Sequence, residues 1–172
     1  MKRRAFLDSS IVLMAGVALP PLALAADTIW ALRCLTTDGA LRWLRGHPST
    51  GSVDLAAGRD LLSGSTSWAV DHDGTDVVML RSLAGEDGPR WLDGRTLDGT
   101  VGLAPVTTGI YTGTRWQLYR SASGAAALKC LGIREGPRWL RGRPSDGLVN
   151  LAASPQTPHS ATSWRLTLLG AE

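Results

Sequence analysis

Asp93 stands between Trp91 and Arg95 in the stretch RWLDGRTLDGT, residues 90–100. A carboxylate accepts hydrogen bonds from hydroxyl groups. An indole offers a flat face to a sugar ring or a cation. A guanidinium clamps a carboxylate or phosphate. Together these are the parts of a polar recognition site. Tyr111 is the only aromatic in the segments that vary most along the chain, and Asn150 supplies an amide. Both join Asp93, Trp91 and Arg95 as candidate ligand-binding residues.

Catalytic chemistry is not legible. No nucleophile–base set, paired carboxylates or phosphate loop can be read, so no enzyme and no cofactor is expected. Asp71, Asp73 and Asp76 in DHDGTD resemble the start of a calcium loop. The bidentate glutamate that should follow is missing. His47, His72 and His159 fall at irregular positions, and Cys34 and Cys130 cannot build a zinc site alone. No metal is expected.

The elements that would position these residues follow from a repeat. RWLRG occurs at 42–46 and 138–142, with RWLDG at 90–94 between them. Trp43, Trp91 and Trp139 are 48 residues apart, as are Trp68, Trp116 and Trp164. Leu44, Leu92 and Leu140 keep the step, as do Gly46, Gly94 and Gly142, and Gly51, Gly99 and Gly147. Leu32, Leu80 and Leu128 keep it too, each followed by a basic residue: Arg33, Arg81 and Lys129. A fixed period of this kind marks three copies of one structural unit.

Within the unit, apolar residues alternate with polar ones, as in Trp30, Leu32 and Cys34, or Trp164, Leu166 and Leu168. Period two means strand. Glycine-bounded turns, GHPSTG, GRTLDG and GRPSDG, join a run around R-W-L to a run around V-x-L. One unit is then four short strands, centred in the first copy near 28–35, 42–46, 52–56 and 66–71. No helix is expected after residue 25.

The first 25 residues read as a secretory signal. They have a basic start, an apolar run from Ile11 to Leu19, and small residues at Ala23 and Ala25. Arg3-Arg4-Ala5-Phe6-Leu7 also resembles a twin-arginine export signal. Loss of Lys2, Arg3, Arg4 and Asp8 lowers the net charge from +3 to +1. No basic stripe suited to nucleic acid stands out. The apolar run is too short to span a bilayer, so no membrane span is expected after cleavage. The protein is expected to be periplasmic or extracellular.

Three four-stranded units resemble the β-trefoil. There, one strand pair per unit closes a six-stranded barrel and the other pairs cap one end. The fold class expected is therefore all-β: a β-trefoil over residues 26–172, with pseudo-threefold symmetry. The T-x-W setting of Trp68, Trp116 and Trp164 is similar to the Q-x-W motif of ricin B-like lectins, with Thr66, Thr114 and Thr162 in place of the glutamine. This resemblance implies structural tryptophans and up to three shallow carbohydrate pockets. It also implies an aspartate on the second strand of each unit, which here is Asp93 alone, against Arg45 and Arg141. The family's stacking aromatic falls on Ala56, Ala104 and Ala152, so Trp91 would have to substitute, and Asp93→Asn would abolish binding.

Trp68, Trp116 and Trp164 are expected in the core with Leu44, Leu92 and Leu140. If those leucines face inward, Trp43, Trp91 and Trp139 are partly exposed, with packing at the capped end as the competing arrangement. Arg42, Arg90 and Arg138 suit structural forks that satisfy loop carbonyls, with a ligand clamp for carboxylate or phosphate as the alternative. Cys34 and Cys130 occupy one position in units one and three. Export favours a disulfide. A filled barrel interior keeps their α-carbons too far apart, so two buried thiols are expected.

The function expected is that of an exported, non-catalytic carbohydrate-binding module. The alternative is a protein-binding or inhibitory trefoil that uses the divergent loops 57–65, 105–113 and 153–161.

Overall fold

Alternation of apolar and polar side chains becomes twelve strands in the computed structural model. The structure describes residues 28–36, 40, 42–60, 62–85, 87–155 and 161–171. The signal segment expected over 1–25 lies outside these residues. The strands are β1 (Thr28–Cys34), β2 (Trp43–His47), β3 (Ser52–Ala56), β4 (Trp68–His72), β5 (Val77–Ser82), β6 (Trp91–Arg95), β7 (Thr100–Ala104), β8 (Trp116–Arg120), β9 (Ala126–Cys130), β10 (Trp139–Arg143), β11 (Leu148–Ala152) and β12 (Trp164–Ala171). The one helical element among the described residues is a 3-10 turn at Thr112–Thr114. The chain is all-β.

Six strands close a ring. β1 pairs with β12, β12 with β9, β9 with β8, β8 with β5, β5 with β4, and β4 with β1. Closure leaves these strands without a free edge for another chain to join. Leu32, Leu80 and Leu128 point inside and are buried. The residual void there is about 10 Å³, among apolar side chains such as Val70 and Leu118. This interior is a packed core and has no room for a ligand.

The remaining strands form three hairpins, β2–β3, β6–β7 and β10–β11. These join one another at one end of the ring. The Leu55, Leu103 and Leu151 amides donate to the carbonyls of Gly147, Gly51 and Gly99 at 2.9, 2.8 and 2.8 Å. Each of these glycines turns its hairpin with φ of 69° to 76°, a conformation L side chains rarely adopt.

The R-W-L-x-G motif is explained by a tryptophan that arrives later in each unit. The Trp68, Trp116 and Trp164 indoles are fully buried. Each N–H donates to the carbonyl of Leu44, Leu92 or Leu140, at 3.1, 3.0 and 3.0 Å. Their ring tips fill the space where a side chain on Gly46, Gly94 or Gly142 would stand, with Cη2 3.2, 3.0 and 3.1 Å from an ideal Cβ. Ser82, Cys130 and Cys34 complete the three packets. Cys34, from the start of the chain, packs beside Gly142 near its end. The two thiols therefore belong to separate packets, and both are buried and unbridged.

Buried threonines hold the loops that lead into these tryptophans. Thr66 Oγ1 accepts from the Asp60 amide at 2.8 Å. Thr114 Oγ1 donates to the Tyr111 carbonyl at 3.1 Å. Arg138 donates to the carbonyls of Cys130, Gly132 and Arg134, which is the structural fork expected of it.

Candidate functional site

β6 places Trp91, Asp93 and Arg95 on one face, since side chains two apart share a side. Their partners across the hairpin are Ala104, Gly102 and Thr100. Asn150, on β11, pairs with Thr100. The fold thus brings the backbones of four candidate residues to one end of the ring. Their side chains do not converge on a shared open site.

Asp93 is only 7% exposed. In the equivalent hairpins a side chain answers across the strands: Arg45 makes two 2.8 Å hydrogen bonds to Asp54, and Arg141 Nε donates to Asn150 Oδ1 at 2.9 Å. Gly102 offers Asp93 nothing. Instead the turn at Thr112–Thr114 folds over it, and the Gly113 amide donates to its carboxylate. An ideal Cβ on Gly113 would lie 1.9 Å from the Gly94 carbonyl oxygen and 2.8 Å from Asp93 Oδ1, so the lid is tight. Burial pushes the Asp93 carboxyl up, and the opposing pull of Arg95 and the Gly113 amide does not offset it. The carboxylate has little surface to offer a ligand.

Trp91 is half-buried, as are Trp43 and Trp139. Their inward neighbours Leu44, Leu92 and Leu140 are fully buried. Each ring meets the basic residue opposite it on the neighbouring barrel strand. Arg33 pairs with Trp43, Arg81 with Trp91, and Lys129 with Trp139. The cations lie 5.8, 6.0 and 5.7 Å from the ring centres. Arg59 adds a second guanidinium over Trp43 at 5.6 Å. Tyr111 is half-buried at the start of the 3-10 turn, where its carbonyl holds Thr114.

An aromatic outside the repeat stands more open. Tyr119, on β8, is 47% exposed. Its ring centre lies 5.3 Å from that of Trp139, tilted by 47°, within the range of favourable aromatic pairs. Beside Tyr119 is a hollow of about 190 Å³, walled by Arg120, Ser121, Ala127 and Ser163. This is smaller than the ~300–1,000 Å³ of enclosed small-molecule sites. It suits one ring of a larger ligand. Trp139 braces Tyr119 from the side and Lys129 lies over Trp139.

Sequence reasoning missed Tyr119 because it does not recur: the same position holds Asp71 in one unit and Thr167 in the other. That departure was the available signal. A large aromatic at an outward strand position in one copy of three is not required by the shared scaffold.

Among the described residues no group of three His, Cys, Asp or Glu could hold a metal ion. No helix among them is long and apolar enough to cross a membrane.

No family model matches the chain, and no curated protein matches it. Among solved structures, the crystal structure of Cry35Ab1 is similar, with a TM-score of 0.64 at 13% sequence identity. The match covers 87% of this chain and 38% of that one, so this chain spans well under half the length of Cry35Ab1. At this identity the likeness shows the fold alone.

Proposed function

We propose that this chain is a β-trefoil of the ricin B-like kind and acts as an exported, non-catalytic carbohydrate-binding module. The observation that carries the reading is the open Tyr119 ring, braced by Trp139 at the edge of a shallow hollow. Exposed aromatic faces beside a concavity suit the apolar face of a pyranose, while the exposed Ser121 hydroxyl suits its rim. The site is Tyr119, Trp139 and their surroundings. Asp93, nearly buried under the 3-10 turn, is assigned to the scaffold.

A glycan array with the purified protein, run beside Tyr119→Thr, tests this. The replacement is the residue the third unit carries at this position, so the fold should tolerate it. Binding that Tyr119→Thr loses and Asp93→Asn keeps is the expected result. A blank array with the unaltered protein overturns the reading.

A second reading, protein binding, rests on a different observation. Leu97, Ile110 and Ile133 are 77%, 86% and 74% exposed. Their segments touch: Thr96 Oγ1 donates to the Arg134 carbonyl at 2.7 Å, and the Ile133 amide to Thr112 Oγ1 at 3.5 Å. Clustered exposed apolar groups mark contact surfaces. Replacing all three with serine would abolish capture of a protein partner and leave glycan binding unchanged.

A further inference from the structure

We infer that the hollow beside Tyr119 takes an acidic sugar, a pyranose carrying a carboxylate or a sulfate. The inference rests on the carbohydrate reading above and deepens it.

Its basis is a charge asymmetry that the linear sequence conceals. In the sheet, β10 and β8 both flank β9, and β12 joins β9 to β1. These five neighbouring strands carry Arg33, Arg120, Lys129, Arg141, Arg143 and Arg165, and none of them carries an aspartate or glutamate. The carboxylates that stand on strands, Asp54, Asp71 and Asp93, all belong to strands outside this group. Pairing across the sheet, and not nearness in sequence, assembles the cationic face. This is why no basic stripe is visible in the chain.

The hollow lies within this face. Arg120 also lines it, but its guanidinium rests 5.1 Å from the ring of the core residue Trp30, on the face of β8 opposite Tyr119, and places no charge beside the Tyr119 ring. Lys129 stands on the strand paired with Tyr119 and lies over Trp139, the ring that braces Tyr119. Arg165 is exposed and follows Ser163, which also lines the hollow, by two residues. A ring stacked on Tyr119 is therefore approached by Lys129 and Arg165, and the nearby acidic groups stand in turns: Asp146, paired with Arg143, and Asp76, whose carbonyl accepts from the Leu118 amide at 2.8 Å. Like-signed charges around a concave site raise the local concentration of an oppositely charged ligand. A neutral sugar would gain from the ring but nothing from the cations.

The test is a titration with five probes: an oligogalacturonate, a heparin fragment, neutral dextran, and two polyanions without pyranose rings, polyglutamate and a short DNA duplex. The unaltered protein should bind the oligogalacturonate or the heparin fragment, and which of the two separates carboxylate from sulfate recognition. Binding should weaken by about tenfold or more in Lys129→Gln and in Arg165→Gln, and again in Tyr119→Thr, a difference of about 1.4 kcal/mol per decade. It should also weaken as salt is raised. Circular dichroism of each variant checks folding. Equal binding of dextran and acidic sugars, lost in Tyr119→Thr, overturns this inference and keeps the carbohydrate reading. Equal binding of polyglutamate or DNA overturns it too, because charge alone would then suffice. No binding of any glycan overturns both.

Discussion

The guanidinium of Arg81 lies 6.0 Å from the centre of the Trp91 ring, and the two residues face each other across β5 and β6. The relationship recurs between Arg33 and Trp43 and, with an ammonium group, between Lys129 and Trp139. Two features of the repeat are thus one. The basic residue after Leu32, Leu80 or Leu128 is the partner of the tryptophan in R-W-L. A ring already covered by its own cation is a poorer platform for an incoming sugar, which leaves Tyr119 as the open face.

Arg81→Ala should therefore cost stability through Trp91. A cation over an indole is worth about 0.5–1 kcal/mol at a partly exposed site. Urea unfolding of Arg81→Ala, Trp91→Leu and the double variant gives the coupling. The expected cycle has a smaller Arg81 penalty when Trp91 is absent. Equal penalties in both backgrounds would mean that the arginine acts only through its stem or its other contacts.

Gly94→Ala should be among the most damaging single-methyl additions. The new carbon would meet Cys130 Sγ at 2.9 Å and Trp116 Cη2 at 3.0 Å, neither on a flexible side chain with room to retreat. Overpacking of this sort costs about 1–3 kcal/mol. Gly58→Ala, with nothing within 4 Å of the added carbon, is the control and should unfold at the same temperature as the unaltered protein. Similar melting of the two variants would remove the packing account of R-W-L-x-G.

Much of this scaffold is legible in the sequence, and the limit is physical. Alternation places Leu44, Leu92 and Leu140 inward, and period-48 equivalence groups the strands into units because each environment must be built three times. The surroundings of Trp91 are not legible, since its cover, Arg81, comes from another strand whose register no local pattern states. Asp93 reads as a binding carboxylate because it departs from Arg45 and Arg141. Its burial depends on a turn at 112–114, in a loop that the repeat does not describe. Tyr119 was available but unmarked, because attention to recurrence passes over the residue that does not recur.

Cys34 and Cys130 should be silent to DTNB in the native protein. Burial raises both thiols, and the nucleophile is the thiolate. At about pH 8 the native protein should release no colour, and guanidinium should expose both cysteines. The sign for stability follows: the native state keeps its thiol protons above the unfolded value of about 8.5, so stability falls as pH rises past it. Rapid reaction of either thiol without denaturant would contradict the packets described.

Two aspartates should give opposite pH signatures. Asp93 is raised by burial, so between the unfolded value of about 3.9 and its native value the folded state binds more protons. Its contribution is best at low pH and is lost as pH rises through the native value. Asp54 is lowered: desolvation opposes its charge, but hydrogen bonds from Arg45 and His47 outweigh that. Its contribution is present above about 3.9 and fades as pH falls toward its native value. Asp93→Asn should therefore gain on the unaltered protein in melting temperature as pH rises from about 4 to about 7. Asp54→Asn should fall behind chiefly below that interval, as pH rises toward about 4, and stay behind by a modest, nearly constant amount above it, because the pair is partly exposed and screened. Parallel pH profiles for the two variants would show that burial does not govern Asp93, and would return its carboxylate to the candidates for ligand contact.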